Sequence, residues 1–360
     1  MSPDRPVHAI RRSVALSRMN HVVCLRLTGR DGFQTLDRLL PAELFVREGK
    51  MLHTLVLDEH ARPRADVYIC CDGEDFFLLA EGLPGEELRR LVLDHRPPGG
   101  DLTVELLDPS HRIFSLGGPY AWETLAVLAG PEVIGMPFLT FAHLDELICF
   151  RAGKTGEYGY DLLVPAEQSE AIWSRLLEAG RRFDLEIADR ELLDLCALEN
   201  WFFNIRREGR ADVTPIELQL QWRVCHRKEY LGSAALAERR RAGPSSRLVC
   251  LISGAPLAAG DALVYEDRSV GTLVNAGFSS ARGDHVALAL VDTAWAYSGI
   301  DCLAVHRKNA SVPVRTVSPP VLNNRSLYVS PQVHSYFARS EMKFPPWVGR
   351  IPAWTSQNER

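Results

Sequence analysis

Short runs of apolar residues alternate with polar turns over the first part of the chain. Residues 22–27 form a β-rich run, and from Phe33 to Leu40 the apolar positions recur at helical spacing. Three more β-rich runs follow, separated by polar turn residues; they span 51–57, 67–71 and 76–80. This succession predicts an antiparallel meander with a helix packed beside it.

Strands and helices continue to alternate beyond the meander. The predicted strands span 102–107, 113–116, 147–150 and 160–164, and the predicted helices span 86–93, 121–128 and 167–177. The last helix is expected to end at Gly180, because glycine is favoured just after a helix C-terminus. Since hairpins join most of the strands, the pattern favours an α+β fold over a doubly wound parallel sheet.

After residue 242 the helical spacing disappears. Five short apolar runs are separated by turns that contain Gly and Asp; they span 248–253, 262–265, 269–274, 286–291 and 302–305. Short strands with regular turns and no intervening helix predict a small β-barrel or sandwich at 243–307. Residues 308–360 are rich in Pro, Ser and Asn but retain aromatic residues such as Trp347. We expect an irregular tail that packs on the body of the chain or on the second subunit of a homodimer.

The composition narrows the class of protein. The 360 residues are 46% hydrophobic and 24% charged, which is ordinary for a globular protein, and this length suggests two or three packed domains. The formal charge of -5 provides no positive field for phosphate backbones, so we expect no nucleic-acid partner. The basic runs at 206–207 and 239–241 are interpreted as solvated surface.

The apolar runs and the cysteines bear on location and on metal binding. No apolar run approaches the ~20 residues of a membrane span, and the start of the chain (MSPDRPVHAIRRS) has no apolar signal region. We therefore expect a cytoplasmic protein without a membrane partner. The eight cysteines include no CxxC pair, so no metal site is predicted. Most lie within apolar runs, where free cysteine behaves as a small hydrophobe, and we expect them to be reduced and not catalytic.

A polar turn lies between the predicted strands at 147–150 and 160–164. Its sequence, TGEYGYD at 155–161, exposes carboxylates and two aromatic rings. Considered alone, this segment is most simply a polar hairpin. Its neighbours along the chain favour another interpretation.

Four segments resemble, in the same order, motifs of the glycine-cleavage T-protein and its relatives. Residues 151–165 (RAGKTGEYGYDLLVP) resemble the signature RxGYTGExGYExxxP, and 194–199 (DLCALE) resemble the helix ALDxLRLE. Residues 213–232 resemble TPxExxLxWxV followed by KxxFxG, while 254–256 and 270–273 resemble the GxP and xGxVTSG strands. Chance matches of this length do not keep their order along a chain, so the set is specific.

The resemblance implies a fold and an activity. The fold would be an α+β, aminomethyltransferase-like, folate-binding fold with a C-terminal small β-barrel domain. Residues 1–242 would form the folate-binding region, made of two intertwined α+β domains around a channel for tetrahydrofolate. The implied activity is transfer of a methyl, methylene or aminomethyl unit between tetrahydrofolate and a small-molecule donor or acceptor.

The resemblance also points to catalytic residues. Residues 53–66 resemble the family segment YTxxLNxxGxxxxD, which places Asp66 on the aspartate that faces the reactive edge of the folate. A carboxylate there can position a cationic amine or stabilise positive charge on the transferred carbon, so Asp66 is the predicted catalytic residue. A surface residue at the strand edge is the alternative. His53 is a candidate acid or base, because an unperturbed imidazole titrates near neutral pH, and a structural hydrogen-bonding histidine is its alternative.

The expected folate contacts come from the same motifs. Asp161 falls where the family has a glutamate that hydrogen-bonds the pterin, and its two acceptor oxygens suit that donor edge. The other expected contacts are Lys154, Glu157, Glu81, Tyr160 and Trp222. For Glu157 the alternative is that it braces the turn, and Glu199 is expected to pair with a neighbour on its own helix.

Three departures from the family argue against the glycine-cleavage reaction itself. Lys154 and His53 stand where the family has tyrosines, and Ala197 stands where it has an arginine. These changes alter the charge that the pocket presents to a ligand, so a related, demethylase-type transfer is predicted. The alternative is a non-catalytic or folate-independent member that keeps the scaffold as a binding module. An iron–sulfur assembly role is disfavoured, because the KGCYxGQE motif of that branch has no match.

Overall fold

The computed structural model describes residues 5–44, 47–307, 310–349 and 351–354, which form two open sheets, a closed barrel and the helices around them. The strands are β1 (Ala15–Arg18), β2 (Val22–Thr28), β3 (Met51–Leu57), β4 (Pro63–Asp72), β5 (Asp75–Glu81), β6 (Thr103–Leu106), β7 (His111–Gly117), β8 (Phe141–Leu144), β9 (Leu147–Phe150), β10 (Gly159–Pro165), β11 (Glu186–Ile187), β12 (Ser246–Ser253), β13 (Ala262–Tyr265), β14 (Arg268–Ser279), β15 (Asp284–Asp292), β16 (Leu303–Arg307) and β17 (Ala310–Val317). The helices are α1 (Arg5–Arg12), α2 (Gly32–Leu39), α3 (Gly85–Asp94), α4 (Ala121–Ala129), α5 (Ser169–Gly180), α6 (Arg190–Asn200) and α7 (Ser233–Ala242).

The first sheet has the antiparallel order β3-β4-β5-β2-β6, which confirms the meander predicted from the sequence. Side chains alternate along β4, so Val67 and Ile69 face a core that also holds Leu36 of α2 and Leu88 of α3. The opposite face of the sheet, which carries Tyr68, packs on the second sheet. The polar site described below lies at the end of that interface.

The second sheet has the order β11-β1-β7-β10-β9-β8. One of its faces contacts the first sheet, and the other is covered by α4 and α5, where Trp122, Phe114 and Trp173 are buried. The α+β class is therefore confirmed. Helix α5 ends at Gly180, but Gly180 is not the left-handed residue that was predicted: it keeps a helical φ of -75°, and a 3-10 turn, Arg181–Phe183, follows it. Leu185 packs so closely that a Cβ at Gly180 would lie 2.3 Å from it, and the left-handed residue that ends the turn is Asp184.

The barrel closes in the order β12-β15-β14-β13-β16-β17 and is filled by aliphatic side chains such as Leu251 and Val270. Its last strand, β17, pairs with both β12 and β16. The boundary predicted at 307 is therefore wrong, because the barrel continues to Val317. Strand β14 is also longer than predicted, since a register shift between Leu273 and Asn275 interrupts its alternation.

The segment after the barrel packs on the body of its own chain. Val329 and Tyr336 are buried in the core of the second sheet, and Trp347 packs against the cluster between barrel and first sheet. The Tyr158 hydroxyl donates to the Val329 carbonyl at 2.6 Å. The tail thereby covers the turn at 155–161.

A buried arginine on α1 joins the tail, the turn and α6. Arg11 donates to the Thr155 carbonyl at 2.6 Å, to Asn324 Oδ1 at 3.0 Å and to Glu199 Oε2 at 2.5 Å. Glu157 lies 3.6 Å from the same guanidinium. Glu199 therefore pairs with α1, which is distant in sequence, and not with the helix neighbour that was predicted.

Replacement of Arg11 by methionine should lower the free energy of unfolding by roughly 3–5 kcal/mol, because Glu157 and Glu199 would remain buried without their cation. Urea unfolding followed by circular dichroism measures this change. The matched control is Arg5→Met at the exposed start of the same helix, which should stay within about 0.5 kcal/mol of wild type. Equal midpoints for the two variants would contradict the proposed stabilising role of Arg11.

Candidate active site

Three of the predicted acidic residues, Asp66, Glu81 and Asp161, meet in a cavity between the two sheets and α6. Its empty volume is about 690 Å³ including its mouth. Asp66 and Glu81 come from adjacent strands of the first sheet, Asp161 comes from β10, and Lys154 comes from the turn that follows β9. Asp189 caps the N-terminus of α6, since its side chain accepts a hydrogen bond from the backbone N–H of Leu192.

Two like charges face each other at the centre of this cavity. Asp66 on β4 and Glu81 on β5 are direct cross-strand partners, an arrangement that is destabilising without a counter-charge. Lys154 supplies that charge, with its Nζ 2.6 Å from Asp66 Oδ2 and 2.7 Å from Glu81 Oε1. The lysine that replaces the family tyrosine thus bridges the two strands.

The pairing extends on both sides of Lys154. Arg206 contacts Glu81 and also Asp194 of α6, and Arg223 lies 2.8 Å from Asp66 Oδ1. We call this set the ion ladder; its members are Asp194, Arg206, Glu81, Lys154, Asp66 and Arg223. Three carboxylates and three cations alternate in it, so its formal charges cancel.

Burial and charge act in opposite directions within the ladder. Burial alone would raise the pKa of Asp66, but His53, Lys154 and Arg223 outweigh it and hold that pKa well below its usual range. Burial likewise opposes the charged form of Lys154, yet its two carboxylate neighbours raise its pKa. Asp66 is therefore ionised and Lys154 keeps its proton near neutral pH.

His53 stacks on Tyr68, with ring centroids 4.1 Å apart, and its Nε2 lies 2.7 Å from Asp66 Oδ1. Burial lowers the pKa of His53 to about 4, in spite of the opposing effect of Asp66. The ring is neutral at pH 7, and since an ionised carboxylate only accepts, Nε2 donates to Asp66. This geometry favours the structural alternative for His53 over an acid at neutral pH.

Asp161 has a different environment from Asp66. It is 8% exposed, its Oδ1 has no hydrogen-bond partner among the residues described, and it makes no ion pair there. Burial raises its pKa to about 7, a rise that Ser115 on the neighbouring strand partly counters. The Tyr68 hydroxyl is also buried without a partner in this part of the chain. The cavity therefore holds an unsatisfied acceptor and an unsatisfied hydroxyl.

Four of the predicted residues do not line this cavity, and the first is His53, which contacts Asp66 without reaching the cavity wall. Glu157 is buried against Arg11 and accepts from the backbone and hydroxyl of Ser326 in the tail, so it braces the turn. Tyr160 is buried in the core on the other face of β10. Trp222 is 69% exposed and stacks on Arg223, outside the set of lining residues.

Sequence reasoning missed several residues of the site. Arg206 was interpreted as solvated surface, but its side chain is only 21% exposed and joins the ion ladder. Arg223 is buried beside Asp66, and only its position next to the predicted Trp222 pointed to it. Asp194 was also missed; it lines the cavity beside Ala197, whose place in the pocket was predicted, since residues three apart share a helix face. Within the described residues, no group of three or more His, Cys, Asp or Glu is arranged to hold a metal ion.

Comparisons with known proteins cover most of the chain. Residues 3–228 match the family model of the GCVT N-terminal domain, and 247–322 match that of the glycine cleavage T-protein C-terminal barrel domain. An aminomethyltransferase from Synechococcus sp. (strain CC9902) is 28% identical over 332 residues, which are 87% of this chain and 88% of the relative. One from Prochlorococcus marinus (strain MIT 9303) is 26% identical over 89% of each chain.

A solved structure is similar over the same extent. The glycine cleavage system aminomethyltransferase T from Bartonella henselae superimposes with a TM-score of 0.79 at 22% identity and covers 88% of each chain. This likeness confirms the aminomethyltransferase-like fold. In addition, none of the helices described is long and apolar enough to cross a membrane.

The raised pKa of Asp161 makes its contribution to stability depend on pH. Between the ordinary carboxyl value of 3.8 and about 7, the unfolded chain loses this proton while the folded chain keeps it, so wild-type stability falls as pH rises. The free energy of unfolding of Asp161→Asn should therefore exceed that of wild type by an amount that grows from about pH 4 to about pH 7, on the order of 4 kcal/mol in full.

Urea unfolding at several pH values measures this difference. Asp145→Asn is the matched control, because Asp145 is exposed in the β8–β9 turn, and it should track wild type throughout. A difference between Asp161→Asn and wild type that does not change with pH would show that Asp161 titrates normally.

Proposed function

The chain belongs to the glycine-cleavage T-protein family, and we propose that it binds tetrahydrofolate in the cavity and moves a one-carbon unit between that folate and a small molecule. The observation that carries the proposal is Asp161, whose buried Oδ1 has no hydrogen-bond partner among the residues described. A pterin presents N–H donors along one edge, and a carboxylate oxygen is the group that such donors require. The unsatisfied Tyr68 hydroxyl is a second polar atom that a bound ligand would pair. The residues present fit the cofactor.

The ion ladder suggests how this chain would act on the transferred unit. Tetrahydrofolate, when bound, supplies the nitrogen atoms that carry the one-carbon group. Asp66 provides a fixed negative charge at the cavity wall, where it would stabilise positive charge that develops during transfer. His53 and Arg223 hold that carboxylate in place. Lys154 sits between two carboxylates and keeps its proton, so we assign it to charge balance and not to proton transfer.

Lys154 also affects which charge the substrate can carry. The ammonium group 2.6 Å from Asp66 leaves the ion ladder without net negative charge, so the ladder does not attract a cationic amine or sulfonium compound from a distance. A neutral one-carbon donor, such as an aryl methyl ether, suits this site better. We therefore propose a demethylase-type transfer in place of the glycine-cleavage reaction.

Tetrahydrofolate should raise the melting temperature of the wild-type protein by mass action. Asp161→Asn should bind it roughly 10- to 100-fold more weakly, because a charge-assisted hydrogen bond contributes about 1.5–3 kcal/mol. Isothermal titration calorimetry measures the affinity, and Asp145→Asn serves again as the control. The contrary outcome is a melting temperature of wild type that stays unchanged at ligand concentrations far above micromolar. That result would favour the folate-independent binding module, because the other charges of the cavity are already paired within the protein.

The same titration has a second readout. Ligand N–H donors favour the ionised carboxyl, so binding near pH 7 should release part of a proton from Asp161. Titrations in buffers of different ionisation enthalpy would detect this release. Asp161→Asn should show none, and an equal release from that variant would assign the proton to another group.

Asp66→Asn should lower the transfer rate by about 10²- to 10³-fold while the folate-induced melting shift remains, because the charge is used in the transition state. Transfer is followed as methyl- or methylene-folate by mass spectrometry, with aryl ethers, methylated amines and sulfonium compounds as donors. Since this change leaves Lys154 partly unpaired, the double variant Asp66→Asn/Lys154→Met restores charge balance. Wild-type rates in either variant would remove Asp66 from the mechanism.

A further inference from the structure

A second cleft lies between the second sheet and the tail. Its empty volume is about 880 Å³ including its mouth. The walls combine apolar and polar surface: Phe138, Leu327 and Val329 are among the lining residues, and Ser326 and Gln332 contribute polar groups. Arg151 is the one charged residue among those that line it, and all of them belong to the described part of the chain.

Arg151 is buried there without a counter-ion. Only 7% of the residue is exposed, and it forms no ion pair with any residue that the structure describes. Its Nη1 donates to the Gly159 carbonyl at 3.0 Å, while its Nε has no hydrogen-bond partner within the same range of residues. A buried guanidinium left in this state is costly, because desolvation is not repaid by an opposite charge.

Aromatic rings offset part of that cost. The guanidinium carbon lies 4.8 Å from the ring centroid of Tyr158, 4.9 Å from that of Tyr160 and 5.7 Å from that of Phe138. Such contacts fix the plane of the guanidinium. Because the rings cover its faces, further hydrogen bonds are made by the N–H groups along its edge. An edge of this kind matches the two oxygens of a carboxylate.

We propose that this cleft binds a small carboxylate whose body is apolar or aromatic. The carboxylate pairs with Arg151, and the body packs against Phe138 and the apolar tail residues. The proposal does not depend on folate binding, because Arg151 and Tyr158 do not line the cavity that holds Asp66 and Asp161.

Benzoate and benzamide are the matched probes, since they share a ring and differ in charge. Benzoate should bind the full chain in isothermal titration calorimetry, and benzamide should bind at least about tenfold more weakly. Arg151→Gln should weaken benzoate binding by about tenfold or more and leave the tetrahydrofolate-induced melting shift unchanged. A far-ultraviolet circular dichroism spectrum equal to that of wild type shows that the variant is folded, whether or not tetrahydrofolate binds.

A second variant tests the apolar wall. Phe138 is 55% exposed, so Phe138→Ala should fold and should weaken benzoate binding severalfold. Phe337→Ala, at a similarly exposed ring outside the cleft, should not. Equal benzoate affinity in wild type and Arg151→Gln would overturn the proposal, as would equal affinity for the two probes. Displacement of benzoate by tetrahydrofolate would also overturn it, because the carboxylate would then be that of the folate.

Discussion

Ion pairs anchor the turn at 154–157 from both sides, and the arrangement of the domains depends on that anchoring. On one side Lys154 reaches into the first sheet and bridges Asp66 and Glu81. On the other side Glu157 and the Thr155 carbonyl hold Arg11 of α1. A turn fixed at both ends by buried charges has little freedom to shift, because any shift would leave a charge unpaired in a medium that penalises it.

The same contacts bring distant segments together. Glu199 accepts from Arg11 and from Ser279 on β14, so α6 is tied to both the start of the chain and the barrel. The tail joins through Asn324 and Ser326, which bind Arg11 and Glu157. These side-chain pairs act together with the buried Val329 and Tyr336 to fix the tail over the turn.

Much of the fold could be predicted because strand alternation and helix spacing are local signals. Strands β3, β9 and β13 were predicted with the bounds that the structure has. Strand β17 was missed because Pro313 interrupts its pattern of apolar residues. The proline is tolerated within the strand because the pairing of β17 with β12 begins only at Arg315. Helix α1 is too short to be stable by itself and depends on the burial of Ile10 and Arg11, which no local pattern reveals.

The site was predictable only in part, because the contacts that set the charge of its residues are not local in sequence. Asp66 and Asp161 lie in motifs, but their different behaviour comes from partners far away in sequence. Arg223 and Lys154 keep Asp66 ionised, whereas Asp161 forms no ion pair with a described residue and burial raises its pKa to about 7. Two carboxylates in one cavity whose pKa values are driven apart are suited to different tasks. The ionised one can stabilise positive charge, and the one that titrates near neutral pH can adjust its protonation to the donors of a bound ligand. A sequence shows two aspartates, and only the packing of the ion ladder assigns them these separate roles.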